Sequence, residues 1–170
     1  MKKLAADGPT VAFDEFGPLE VRPQAGQCWC RKPVRLRATY TRPYGVQHWL
    51  AFYDVHADKL WGYIRNRKRH QETLGGLKLL RKRYPIWQRI HLILDNFSPH
   101  RKDVVRRYCR KNNVHLIWTP TNASWLNPIE CQFTPVKEFV FRNCDYENHR
   151  QQNLALRRYV RYRNKKAQKS

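Results

Sequence analysis

The ten residues from His91 to His100, His-Leu-Ile-Leu-Asp-Asn-Phe-Ser-Pro-His, constrain this chain more than any others. His91 to Leu94 is almost wholly apolar and breaks off at Asp95, after which turn chemistry begins. A short apolar run bounded by polar residues suits a strand buried on both faces. Ser98-Pro99 then reads as a helix cap followed by proline at the first helical position, opening a helix from Pro99 to about Asn112. Asp95 is thereby set at the carboxyl end of a central strand, where open α/β sheets bind their ligands.

Charge narrows the choice of partner. Among 170 residues, 34 Lys and Arg stand against 13 Asp and Glu, a net charge of +21. The excess lies at Arg31 to Arg37, Arg65 to Arg69, Arg81 to Arg83, Arg101 to Lys111 and from Arg150 onward, so no single tail carries it. A polyanion is the expected partner, nucleic acid first among them. Solubility alone does not require so much charge of one sign. The 5 cysteines, an odd count without a secretory segment, point to reduced thiols inside a cell. Cys28-Trp29-Cys30 lacks the spacing of a structural zinc site. With no long apolar span, a soluble protein without a membrane partner is expected.

Taken in order, Thr10 to Phe16 reads as a first strand stopped by Gly17-Pro18. Asp14 falls on the same face as Ala12 and Phe16, where a charge is costly unless it is paired or holds a metal. Residues 22–34, rich in Pro, Gly and Cys, read as an irregular excursion. Gln47 to Asp54 and Lys59 to Ile64 form a hairpin, giving a three-stranded antiparallel start. A helix from Gln71 to Tyr84 follows, weakened by Gly75-Gly76 and ended by Pro85. In the helix after Asp95, Val104, Val105, Tyr108 and Cys109 make the apolar stripe. Val114 to Trp118 is a further strand, completing a parallel crossover.

Asn127 and Pro128 read as the cap and first residue of the next helix, with Ile129, Phe133, Val136 and Val140 at helical spacing and Pro135 able to kink it. Glu130 lies in its first turn, off that stripe. The last helix, His149 to about Asn164, turns Leu156, Tyr159 and Val160 inward. This order of elements is that of a ribonuclease H-like α/β fold, a mixed sheet of three antiparallel strands and then parallel strands, flanked by helices. The expected organisation is a flexible segment 1–8, one domain over 9–164, and a basic tail 165–170.

Acids are scarce, so candidates for chemistry are few. In-line displacement at a phosphodiester is served by two divalent ions, which neutralise charge at the attacking and leaving oxygens. Magnesium favours carboxylate and water oxygens. Asp14 on the first strand, Asp95 at the end of the central strand and Glu130 in a first helical turn come from different elements and could converge on such ions. Each has a plainer reading: a residue before a turn, the start of a turn, or an acid favoured at a helix N-terminus.

Asp95-Asn96-x-x-x-His100 and Pro120-x-x-x-Ser124-x-Leu126-Asn127-Pro128-Ile129-Glu130 resemble the catalytic domain of mariner-related bacterial insertion-sequence transposases, the insertion sequence 630 family of the DDE superfamily. Asp14-Glu15 matches the opening acidic motif, and the 34 residues between Asp95 and Glu130 match the spacing of this branch. The resemblance implies that Asp14, Asp95 and Glu130 are catalytic metal ligands for two Mg2+, with Mn2+ able to substitute. Glu15, on the other face of its strand, is the poorer ligand. Asn96 and His100 occupy motif positions, to place a ligand or touch phosphate, or simply as a turn amide and a helix-start histidine. Ser124, Trp125 and Asn127 would shape the loop that aims Glu130. Trp125 could stack on a base, though burial as a core aromatic is the stronger expectation. Lys137, two turns beyond Glu130 on the same face, is either a phosphate contact or a solvated lysine.

The implied activity is metal-dependent DNA strand cleavage followed by 3′-hydroxyl strand transfer. Double-stranded DNA, as transposon ends and target, is the implied partner, and a homodimer on DNA is an assembly the resemblance allows. Full-length relatives carry helix-turn-helix domains ahead of the catalytic part, and the stretch before Asp14 is too short for one. The expectation is therefore either one half of a split transposase, partnered by a separate helix-turn-helix half, or a truncated remnant that binds DNA without cutting. A stand-alone ribonuclease H-like nuclease is the third reading. The implied location is the bacterial cytoplasm, at the nucleoid.

Overall fold

A computed structural model describes residues 7–24, 29, 31–32 and 44–167. Most of the expected excursion over 22–34, including Cys28 and Cys30, lies outside the described residues, as do residues 1–6 and 168–170. The strands are β1 (Thr10–Glu20), β2 (Val46–Asp54), β3 (Lys59–Arg65), β4 (Ile90–Leu94) and β5 (Val114–Trp118). The helices are α1 (His70–Arg81), α2 (Asp103–Lys111), α3 (Glu130–Val136), which runs on through a wider turn Lys137–Phe141, and α4 (His149–Lys166). One sheet takes all five strands in the order β3-β2-β1-β4-β5. The β1–β2 and β2–β3 pairs are antiparallel, and the β1–β4 and β4–β5 pairs are parallel. This is the ribonuclease H-like arrangement read from the order of elements.

Strand alternation divides the core in two. Val11, Phe13, Leu50, Phe52, Leu92 and Leu94 face α1 and α2, meeting Leu77, Leu80, Val105 and Cys109. Ala12, Phe16, Trp49 and Ala51 face α3 and α4, meeting Ile129, Phe133, Val136, Val140 and Leu156. The apolar stripe read for α3 is buried throughout, and Asp14 shares the face of Ala12 and Phe16 as its position in the strand requires. Parallel pairing of β1 with β4 ends at Ala12 against Ile93. Two residues further on come Asp14 and Asp95, level with each other where the strands part.

Several boundaries differ from the sequence reading. Gly17-Pro18 does not stop β1. The strand runs to Glu20, and a register shift between Phe16 and Leu19 absorbs the pair. Gly17 sits at φ +150°, where a Cβ would come within 3.1 Å of the Gln47 carbonyl oxygen. Ser98-Pro99 does not cap a helix either. Arg101 N–H bonds the Ser98 carbonyl at 3.2 Å, with Pro99 at the second position of a tight turn, and α2 begins only at Asp103. Ser followed by Pro suits both settings, so the two letters alone do not separate them. The later start rotates Val104 outward and leaves Val105 and Cys109 on the sheet. Likewise α3 starts at Glu130, past Asn127 and Pro128.

Arg81 ends α1 in an unexpected way. It is buried, and its guanidinium donates to the carbonyls of Tyr84, Pro85, Gln88 and Asn112 at 2.7–3.1 Å. No helix among the described residues is long and apolar enough to cross a membrane.

Candidate active site

A cleft of about 560 Å³ opens at the carboxyl ends of β1 and β4. Asp14, Asp95 and Glu130 all line it, together with Ser124 and Lys137. With Glu20, four of the chain's 13 acids line this one place, and the carboxylate of a fifth, Glu15, turns away to His100, although the protein carries +21.

Asp14 is 9% exposed and accepts a hydrogen bond from the Glu15 N–H at 2.7 Å. Burial, reinforced by the negative charges of Glu15, Asp95 and Glu130, pushes its carboxyl up to about 7 despite that bond. Asp95 behaves oppositely. Burial again disfavours its charge, but His100, the Phe97 N–H and Lys68 together hold it below the usual carboxylate range. His100 Nδ1 lies 2.9 Å from Asp95 Oδ1, and Phe97 N–H donates to the same oxygen at 3.2 Å. Glu130 begins α3, its N–H bonded to the Asn127 carbonyl at 3.0 Å. Among the described residues, no three His, Cys, Asp or Glu side chains already stand close enough together to hold an ion. The three carboxylates share the walls of the cleft without closing on a point.

The remaining residues divide. Asn96 donates to the Thr119 carbonyl at 2.7 Å and ties the loops after β4 and β5 together, so it acts as a turn amide. His100 is buried at 0% exposure and grips Asp95. Asn127, 1% exposed, donates to the Phe13 carbonyl at 2.9 Å. Ser124 and Lys137 are exposed on the cleft wall, the lysine Nζ 5.9 Å from the Phe16 ring centre. Trp125 overturns the expectation of burial: it is 73% exposed. A single tight turn, Ser124–Leu126, turns Trp125 and Leu126 to solvent while Ala123 and Asn127 go inward.

The sequence reading missed three participants. Arg22 and Gln24 line the cleft along with Lys137, Arg22 paired with Glu20 at 3.2 Å, and nothing local in their sequence marked them. Lys68, counted only as part of a basic link, lies 4.8 Å from the Phe97 ring centre and acts on Asp95.

The sheet and cleft define the class: a ribonuclease H-like domain with an acidic pocket at its strand ends. The family model for DDE superfamily endonucleases matches residues 9–152, and the chain belongs to that family. No curated protein matches it in sequence. Among solved structures, a pre-cleavage Mos1 transpososome superposes with TM-score 0.71 at 13% identity, over 94% of this chain and 50% of that one. The Mos1 mariner paired-end complexes with Mn and with Mg give 0.68 at 15% and 14% identity, over 89% of this chain and 48% of theirs. These likenesses show a shared fold. The chain spans about half the length of the solved chains it matches.

Proposed function

We propose that this chain is the catalytic domain of a transposase in the mariner-related bacterial insertion-sequence branch, the 630 family, with residues 9–164 as the catalytic unit. Asp14, Asp95, Glu130 and Glu20, gathered in one cleft of a strongly basic protein, carry this reading. Negative charge concentrated against an electrostatic gradient of its own chain needs a cation. The donors suit Mg2+ or Mn2+: they are carboxylate oxygens, and burial together with the neighbouring acids pushes the Asp14 carboxyl up to about 7, a penalty that a bound cation would relieve. Asp14, Asp95 and Glu130 are the residues that would hold two such ions, by rotating their side chains inward from the walls. Bound there, the ions would supply charge neutralisation for attacking and leaving oxygens at a phosphodiester.

The chain's own residues do the rest. His100 orients Asp95, and Asn127 fixes the loop that launches Glu130. Arg22 and Lys137, both lining the cleft, bind the phosphates flanking the scissile one. Water attacks phosphorus and the bond to the 3′ oxygen breaks, leaving a 5′-phosphate and a free 3′-hydroxyl. That hydroxyl then attacks a target phosphodiester in the same cleft and expels a 3′-hydroxyl of the target strand. The partners are double-stranded DNA as transposon ends and target, a separate helix-turn-helix half, and a second copy on DNA. The setting is the bacterial cytoplasm, at the nucleoid. Outside the cleft, DNA is held through phosphate charge, with steep salt dependence and little sequence preference.

A non-catalytic remnant would also leave its carboxylates apart, and one assay separates the two. Supercoiled and pre-nicked DNA are incubated with Mg2+ or Mn2+ and either wild type or Asp95→Asn. Metal-dependent nicking that disappears in the variant is expected. Equal DNA binding with no cutting by either protein would mark a remnant, and cutting restricted to RNA–DNA hybrids a ribonuclease H-like nuclease.

A further inference from the structure

Glu15 follows Asp14, but strand alternation sends it to the opposite face of the sheet, where its side chain is 5% exposed. Its Oε1 lies 2.7 Å from His100 Nε2. The other ring nitrogen of His100 lies 2.9 Å from Asp95 Oδ1. Three side chains thus form an unbroken line, Glu15 to His100 to Asp95, from one face of the sheet to the cleft on the other. The ring has no room to turn: Phe13 packs against it at 5.2 Å and Phe97 edge-on at 5.4 Å. With a carboxylate on each nitrogen, both ring positions act as N–H donors.

We propose that Glu15 is a positioning residue for the site, acting through His100 to hold Asp95 Oδ1 in place and leave its second oxygen for the cleft. The inference rests on the function proposed above and adds a residue that does not itself face an ion or DNA. Two consequences follow from the line of contacts. Without Glu15 the far nitrogen of His100, buried at 0% exposure, loses its acceptor, and the ring is no longer pinned at both ends. A carboxylate also accepts that N–H more strongly than an amide would, so replacing Glu15 by Gln loosens the ring even where a hydrogen bond survives.

The test uses the full chain and Mn2+ as probe, with binding measured by calorimetry well below the unfolding midpoint. Glu15→Gln keeps the shape and removes the charge. Mn2+ affinity is expected to fall by about 10–100-fold, the usual cost of losing a partner behind a metal ligand. His100→Gln is the second variant, and the pair is measured singly and together. Because both act through one line, the double variant should lose little more than either alone. Unchanged Mn2+ affinity in a folded Glu15→Gln, or losses that simply multiply in the double variant, would overturn the positioning role. Should Glu15→Gln not fold, Mn2+ affinity left intact in His100→Gln would overturn it equally. Wild type that binds no Mn2+ would instead sink the catalytic reading on which this one stands.

Discussion

Asn127 donates from Nδ2 to the carbonyl oxygen of Phe13 at 2.9 Å, a buried bond between residues 114 apart in sequence. Phe13 precedes Asp14, and Asn127 accepts the N–H of Glu130 on its own carbonyl at 3.0 Å. One amide therefore fixes the spacing between two of the three proposed ligands. Its place before a proline suggested a helix cap: Oδ1 does accept the Ile129 N–H, at a long 3.5 Å, while Nδ2 makes the longer-range bond.

Asn127→Ala leaves the Phe13 carbonyl buried without a donor, at a cost of about 1–3 kcal/mol in stability. If the bond also sets the geometry, DNA nicking at a temperature where the variant is folded should drop on the order of 100-fold. Urea unfolding and a plasmid nicking assay on the same preparation check the two effects. A stability loss with nicking unchanged would make the bond purely structural.

Asp14 gives the folded protein a pH signature. Its value of about 7 lies above the ordinary 3.8 of the unfolded chain. Between these values the folded chain keeps a proton that the unfolded chain has released, so this group's stabilising contribution falls as pH rises from 4 to 7. At about 1.4 kcal/mol per pH unit, the loss is on the order of a few kcal/mol. Asp14→Asn has no such proton to lose. Without metal, the melting temperatures of wild type and variant should coincide near pH 4 and diverge towards pH 7, the variant becoming the more stable. Mg2+ at pH 7 should raise the midpoint of wild type only. A variant no more stable than wild type at pH 7 would show that the charge of Asp14 is already balanced.

What the sequence disclosed and what it hid follow from the range of the forces involved. Asp95 at the end of an apolar run, Asp14 in the period of its strand, and the Ile129-Phe133-Val136-Val140 stripe are local patterns, and each has its expected place. Glu15 and His100 lie 85 residues apart, and no periodicity connects them. Gly17-Pro18 and Ser98-Pro99 are real turn signals, but a bulge inside a strand and a turn before a helix use the same letters. A charge in sequence also does not reveal its burial.

Arg81 shows this last point and supplies a prediction. Read as one member of a basic cluster, it is instead 7% exposed and joins four backbone carbonyls, three from the loop between α1 and β4 and one from the end of α2. Arg81→Met should cost about 1–3 kcal/mol, the penalty for leaving buried acceptors without their donor. Arg81→Lys should recover only part, since an ammonium lacks the planar fork that reaches several acceptors at once. Lys82→Met, next in sequence and exposed, should change stability by less than about 0.5 kcal/mol. Chemical denaturation of the three variants gives the comparison, and equal losses at both positions would rule out the role of Arg81.

Trp125 carries the sharpest contrast between a packing role and a binding one. Burial of an indole makes truncation to alanine cost about 3–5 kcal/mol, whereas an exposed residue costs within about 0.5 kcal/mol. At 73% exposure, Trp125→Ala should unfold like wild type. A large ring kept in water beside Ser124, which lines the acidic cleft, is well placed to stack on a base. Stacking contributes about 1–3 kcal/mol per base, so affinity for a DNA end with unpaired bases should fall roughly 5- to 150-fold. Trp125→Phe should retain most of it, because every base presents a face to any aromatic ring. Fully paired duplex should bind all three proteins alike through its phosphates. Affinity for frayed and paired ends, measured at one fixed salt concentration, decides the matter. Equal losses on both DNAs would assign Trp125 a backbone contact in place of a stacking one.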